Sequence, residues 1–222
     1  PLRGAPADLA LRMSALAGRY DGPGKVHHPA LAQIKSEAAR LAKGLPQGPR
    51  LSLGLQAALA YPDRIGLRRK GDDPRFVLSG GKGAVMDAGD PLAGQRLIVA
   101  TDLDGDTREA RIRQAVQITE RELRDIFADQ IAWQDVCLWS RRERRVLTRK
   151  QERFGALVLD DRQWSDAPEP EVATAMVEGI RQLGLRPSPA ADRFRARVAL
   201  VENLPAMDDE TLLATLEDWL LP

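Results

Sequence analysis

The sequence predicts an α+β fold in three parts: N-terminal helices, a small β-barrel or sheet with an antiparallel meander, and a small helical unit at the C-terminus. Three observations carry this. Apolar residues recur at helical spacing through residues 1–50, the period becomes that of short extended runs from Arg64, and it returns to helical past Trp164. The expected division is therefore 1–61, 62–163 and 164–222.

Among the N-terminal helices, Leu9, Met13, Leu16 and Tyr20 fall on one face with Asp8 as the expected cap, and Leu31, Ile34, Ala38 and Leu41 form a second face after Pro29. A Gly/Pro turn at 21–24 separates them, and a loop over 44–50 follows. A third helix runs from Ser52 and must end by Tyr61, because Pro62 disfavours helical geometry in the residue before it.

Five extended runs come next, at 65–69, 75–79, 83–86, 96–102 and 107–118, separated by Gly, Asp and Pro as in a small barrel or sheet. Asp104-Gly105 is the chemistry of a two-residue hairpin loop, since Gly accepts positive φ without steric cost. Thr119 then opens a helix with Glu122 placed to return the capping hydrogen bond. Runs at 131–139, 144–149 and 154–160 read as a three-stranded meander with turns in the charged 140s and near Lys150, either extending the first sheet or packing beside it.

In the last part, Val172, Met176, Ile180 and Leu183 form a stripe ending at Gly184. Pro189 opens a helix carrying Phe194, Val198 and Val201. Asp208 caps a third with Leu212, Leu216, Trp219 and Leu220.

Composition narrows the function. With 29% charged residues, no apolar stretch approaches the ~18 residues of a membrane span, so none is expected and the expected location is the cytoplasm. Cys137 is the only cysteine, and one thiol closes no intrachain disulfide. No signal peptide is evident, and the start at Pro1 and stop after a helical pattern lead us to expect a piece of a longer chain. The net charge of +1 conceals an asymmetry: residues 1–159 carry 27 Lys+Arg against 19 Asp+Glu, and residues 160–222 carry 6 against 13. Arginines outnumber lysines 27 to 6, which favours bidentate pairing with phosphate or carboxylate and is also what a GC-rich genome produces.

Motifs for chemistry fail on inspection. Gly80-Gly81-Lys82-Gly83 lacks both the leading Gly and the trailing Ser or Thr of a phosphate-binding P-loop, having Phe76 and Gly83 there, so a glycine bend with Lys82 exposed at its tip is expected. Asp102, Asp104, Asp106 and Glu109 resemble the start of a calcium loop, but Thr107 and Arg113 stand where Gly and Glu are required. His27, His28 and Cys137 are too few and scattered for zinc. No metal site and no catalytic residue is expected.

The basic runs carry more. Arg64, Arg68, Arg69, Lys70, Arg75 and Lys82 against Asp72 and Asp73 give +4, and Arg141, Arg142, Arg144, Arg145, Arg149, Lys150 and Arg153 against Glu143 and Glu152 give +5. Cations clustered on a small barrel are the footprint of single-stranded nucleic-acid binding; the alternative is a sheet edge that charge protects from aggregation. Trp133 and Trp139 share a strand parity with Ile131 and Cys137, and they and Trp164 and Trp219 are expected in cores.

Together these residues resemble a known family. The runs Leu59-Ala60-Tyr61-Pro62-Asp63-Arg64-Ile65, Val77-Leu78-Ser79-Gly80-Gly81-Lys82-Gly83-Ala84, Asp90-Pro91-Leu92-Ala93 and Leu97-Ile98-Val99-Ala100-Thr101-Asp102-Leu103-Asp104-Gly105 are similar to the region downstream of the motor in HrpB-type ATP-dependent helicases, bacterial relatives of the DEAH-box RNA helicases. Arg153-Phe154-Gly155-Ala156-Leu157-Val158-Leu159 and the segment from Leu212 to Leu220 resemble it too. The resemblance implies a ratchet-like helical segment, an oligonucleotide-binding (OB)-like domain and the start of the C-terminal region particular to that family.

It further implies an accessory region that contacts single-stranded RNA, or DNA, and braces two RecA-like motor domains. ATP and magnesium would belong to that motor, whose motifs find no match here. Arg64, Arg68, Arg69, Arg75 and Lys82 are the expected phosphate contacts. The alternative is a protein-interaction or scaffold module in which the acidic helices after 160 recruit a protein partner.

Overall fold

The computed structural model describes residues 2–46, 48–106 and 108–221. Packing groups the chain into two compact units, Pro1–Ala132 with Arg153–Leu159 and Trp133–Glu152 with Asp160–Pro222. This grouping follows contact, whereas the division at 61 and 163 follows element type.

In the first unit, β1 (Leu2–Arg3) pairs antiparallel with β2 (Lys25–Val26) on either side of α1 (Leu9–Leu16). The Asp8 carboxylate accepts from the Ala10 N–H at 2.8 Å and caps α1. α2 (His28–Ala42) is capped by His27 Nδ1, which accepts from Ala30 N–H at 3.2 Å. Its expected core stripe is a correction: Leu31 is buried, but Ile34, Ala38 and Leu41 face solvent. α3 (Leu53–Ala60), capped by Ser52, runs so close to the backbone at 117–118 that a Cβ on Gly54 would meet the Gln117 carbonyl and lie 3.2 Å from Ile118 Cα.

A 3₁₀ turn, Pro62–Arg64, leads into the barrel. Its strands are β3 (Ile65–Arg68), β4 (Arg75–Leu78), β5 (Gly83–Val85), β6 (Leu97–Leu103) and β7 (Glu109–Gln117), close to the expected runs. They close in the order β3-β4-β5-β7-β6, antiparallel except for the parallel β5–β7 pair, an OB-like topology. Alternation sorts the side chains. Phe76, Leu78, Ala84, Ile98, Ala100 and Ile112 fill the interior. Ile65, Leu97 and Val99 point outward, where Ala57 and Ala58 of α3, Leu123, Phe127 and Phe154 cover them. Both faces of β6 are thus buried, so Leu97, Ile98, Val99 and Ala100 read as an unbroken apolar run.

The β6–β7 hairpin is real, but its connection is wider than the expected two residues and spans 104–108. Asp104 is the reason: its carboxylate accepts from the N–H groups of Asp106 at 3.1 Å and Arg111 at 2.9 Å, organising a broader loop. Position 107, where the strand was expected to begin, lies outside the described residues. α4 (Glu120–Ile126) carries the expected capping box of Thr119 and Glu122.

The meander, β8 (Ile131–Ser140), β9 (Arg145–Phe154) and β10 (Leu157–Gln163), is a separate sheet ordered β10-β9-β8. The turn expected near Lys150 is not there. Lys150 lies inside β9, and the chain reverses at Gly155, whose φ of 53° needs the residue without a Cβ.

In the second unit, α5 (Glu169–Leu183) ends at Gly184, and α6 (Pro189–Val198) is capped by Ser188. The third expected helix is broken at Thr215 into α7 (Asp209–Ala214) and α8 (Leu216–Leu220). Trp139 packs on Gly179, where a Cβ would come within 2.6 Å of the ring, and donates to Gln182 at 2.8 Å. Trp164 is buried. Trp133 and Trp219 are not: they are 46% and 47% exposed, Trp133 beneath the Arg162 guanidinium and Trp219 tied by its indole N–H to the Leu212 carbonyl. Strand parity and helical position identify a face, not what covers it. Among the described residues no helix is long and apolar enough to cross a membrane.

Candidate nucleic-acid interface

The barrel's outer surface over β4, β5 and β7 is where cations gather. The register sets Arg75 opposite Val85 and Val85 beside Arg111, so the two arginines flank one apolar residue on neighbouring strands, about 10 Å apart at two strand spacings. Arg69 extends this surface from the β3 side. Its N–H donates to the Arg75 carbonyl at 2.8 Å, and its guanidinium reaches over Gly83, Nη2 lying 3.7 Å from where a Cβ would stand. Arg113 follows on β7 with the parity of Arg111.

Carboxylates surround these groups without neutralising them. Arg75 Nε is 3.7 Å from both Asp73 and Glu109, and Arg111 is 3.9 Å from Asp87. Such long, solvated pairs contribute at most about 1 kcal/mol, so an incoming phosphate competes with them readily. Among the described residues Arg69, Lys70 and Arg113 have no carboxylate within ion-pair distance.

Arg64 and Lys82 meet elsewhere. With Asp63, Leu78, Gly80, Asp102, Leu103 and Gly105 they line a shallow polar cleft. Arg64 lies over the Tyr61 ring at 5.0 Å, its Nε 3.9 Å from Asp63. Lys82 is half-buried, not exposed at a tip as expected, because its turn folds back: its carbonyl accepts from Leu78 N–H at 2.8 Å, with Gly81 at φ 93°. Asp104 is held below the ordinary aspartate range chiefly by the N–H groups of Asp106 and Arg111, with smaller help from Arg113 and Lys82.

Arg68 has a different task. Its Nε donates to the Ala93 carbonyl at 2.9 Å and its Nη2 to that of Asp72 at 3.2 Å, so the guanidinium staples two loops. The structure therefore brings Arg69 to Arg75 and Arg64 to Lys82, and joins Arg68 to neither group.

The meander's cations are more tightly engaged. Arg145 pairs with Glu143 at 2.6 Å, Arg149 with Asp161 at 2.8 Å, Lys150 with Asp135 at 3.3 Å and Arg141 with Glu178 at 3.5 Å. Arg111 and Arg113 are the residues that sequence reading passed over. Their signal was alternation with Ala110 and Ile112, which places both on one strand face, whereas counting charge along the chain favours contiguous runs. Among the described residues no cluster of three His, Cys, Asp or Glu side chains is arranged to hold a metal.

Fold and site together define a protein built around an OB-like barrel with an arginine-bearing outer face. No protein-family profile matches the chain. In an alignment of 174 positions that covers 73% of the chain, it is 32% identical to the ATP-dependent RNA helicase HrpB of Escherichia coli (strain K12). Crystal structures of the E. coli DExH-box NTPase HrpB and the Escherichia coli DEAH/RHA helicase HrpB match all of the chain, with TM-scores of 0.55 and 0.52 at 28% and 25% identity. The match takes in 21% of the curated relative and 27% and 28% of the solved chains. The chain is a homologue of an accessory region of an HrpB-type helicase, spanning about a quarter of such a protein.

Proposed function

We propose that this region holds single-stranded RNA for a helicase motor and carries none of the motor's chemistry. The observation behind this reading is the coincidence of an OB-like strand order with Arg69, Arg75, Arg111 and Arg113 on the outer surface of β4, β5 and β7. OB-folds bind oligonucleotides across the equivalents of β4 and β5, the second and third barrel strands. Guanidinium forks on that surface suit phosphate oxygens, and contacts of that kind position a strand without reading its bases. RNA is the favoured polyanion because the curated relative is named an RNA helicase; DNA would meet the same cations. Arg64 and Lys82 supply a second point of phosphate contact in their cleft.

In this reading the RecA-like motor lies in the part of an HrpB-type protein that the match does not reach, and ATP and magnesium act there. The β domain braces that motor, in the cytoplasm. Reversing both Arg69 and Arg75 to Glu should weaken single-stranded RNA binding and flatten its dependence on salt, measured by fluorescence anisotropy at two ionic strengths. Unchanged affinity at both would refute the contact.

A second reading rests on the second unit. Phe194, Leu200, Val201 and Leu204 are exposed there, in a stretch, 186–204, that itself carries four arginines against two acids, while residues 160–222 as a whole carry 13 Asp+Glu against 6 Lys+Arg. Exposed apolar side chains of this kind suit a protein partner, and the acidic balance of the wider segment disfavours RNA. A pull-down that needs residues 166–222 and survives nuclease supports it; loss of the partner on nuclease treatment refutes it.

A further inference from the structure

Three of the runs that resemble the helicase family, distant in sequence, meet at one point of the first unit. Ser79, just past the end of β4, is at the centre and is the buried polar side chain among the described residues. Its hydroxyl donates to the Pro62 carbonyl at 2.6 Å and accepts from Ile65 N–H at 3.2 Å. Its own N–H donates to the Ile65 carbonyl at 2.8 Å, and the next residue, Gly80, donates to the Asp63 carbonyl at 2.9 Å. From the other side comes the β9–β10 turn: Ala156 N–H donates to the Ser79 carbonyl at 2.9 Å. Gly155 lies flat against the same carbonyl, where a Cβ would stand 2.5 Å from the oxygen, and holds φ at 53°. Phe154 and Leu157, flanking the turn, are buried beside Ile65, and the Phe154 ring packs 5.0 Å from that of Phe127.

What this junction fixes is the pair of segments carrying Arg64 and Lys82. The 3₁₀ turn Pro62–Arg64 is held through Pro62, Asp63 and Ile65, and the glycine turn is held through Ser79 and Gly80. With serine or glycine at four of the five positions from 79 to 83, the turn has little stiffness of its own. We propose that the Gly155-Ala156 turn is a positioning element for the Arg64/Lys82 cleft: docked on Ser79, it sets the spacing of the two cations that meet RNA phosphate. This rests on the RNA reading above and adds the group that acts on the site without touching the ligand.

The test is Gly155→Ala in the 222-residue chain, because the added methyl meets the Ser79 carbonyl and the φ disfavours any side chain. Amide exchange at Gly80 and Gly81 should quicken. The slope of log affinity for a single-stranded RNA against log salt should fall by about 1.4, the loss of two phosphate contacts. Arg64→Ala with Lys82→Ala should lower the slope equally and add nothing when combined with Gly155→Ala, while Arg69→Ala with Arg75→Ala should remain additive.

Unaltered exchange at Gly80 and Gly81 overturns the latch itself. Quickened exchange with an undiminished slope, or additivity with the Arg64/Lys82 pair, overturns the positioning role. If the Arg64/Lys82 pair alone leaves the slope unchanged, the RNA reading of the cleft has failed and takes the proposal with it, while the exchange data report on the latch separately. Should Gly155→Ala not fold, Ala156→Pro removes the N–H that donates to the Ser79 carbonyl while leaving position 155 unaltered, and is judged by the same readings.

Discussion

The barrel and the meander both carry arginine-rich stretches of similar sequence charge, yet the structure puts them to different uses. On β9 the cations face carboxylates from β8, β10 and the preceding turn at hydrogen-bonding or near hydrogen-bonding distance, as Arg149 does with Asp161 at 2.8 Å. On the barrel face the nearest carboxylates to Arg75 stand at 3.7 Å, and Arg69 has none in range among the described residues. A polyanion can use a cation only at the cost of whatever already holds it. Local charge density therefore locates arginines, and partner geometry decides which of them are available.

The largest expected effect concerns the scaffolds beneath the two surfaces. Phe76 is wholly enclosed in the barrel, so Phe76→Ala should cost about 3–5 kcal/mol in chemical denaturation, whereas Leu138→Ala on the open meander should cost less than about 1. Equal losses would mean that the barrel is not the more enclosed of the two.

Next in size is RNA affinity. Arg69→Glu with Arg75→Glu should lower single-strand affinity about tenfold or more at low salt, and Arg145→Glu with Arg149→Glu should leave it near the parent value. If the meander pair has the greater effect, the comparison is reversed.

A smaller effect separates local from tertiary stabilisation at the entry to the meander. Thr119→Ala removes the α4 cap and should cost about 1 kcal/mol. Glu122 is held below its ordinary value near 4.5, first by the Ser52 hydroxyl and then by the Thr119 N–H and hydroxyl. Its folded value is depressed, so its contribution is complete above the unfolded value and is lost as pH falls through the folded one. Acid titration of the parent by circular dichroism should show that loss, and Glu122→Gln should diminish it; an identical acid profile for the variant would refute the assignment.

The smallest effect sharpens the idea of availability. Asp161→Ala releases Arg149 and should change stability by no more than about 1 kcal/mol, while raising RNA affinity modestly with a slope increase of at most about 0.7. No gain would mean that the position of the meander, and not its carboxylates, keeps RNA away.

Much of the fold was legible because its determinants are local. Asp8, Ser52, Thr119, Ser188 and Asp208 accept hydrogen bonds within three residues of themselves, and each marks the start of a helix. Pro62 and Gly184 mark ends in the same way. The meander turn is not legible locally: charge near Lys150 has the composition of a turn, whereas the need for positive φ at Gly155 is clear only beside Ser79. The candidate site was legible by residue type and not by grouping. Arg64 and Arg68 are four residues apart, but one leans on Tyr61 in an open cleft and the other is spent on the carbonyls of Ala93 and Asp72.

From the sequence alone come the element types, their caps and most strand limits, since hydrophobic period, φ preference and side-chain capping act over a few residues. Closure through the β3–β6 and β5–β7 pairs, the face shared by Arg75 and Arg111, the exposure of Trp133 and the meeting of Ser79 with Gly155 belong to the tertiary structure. Each depends on which distant segment arrives opposite a given residue, and burial and charge pairing are decided by that neighbour.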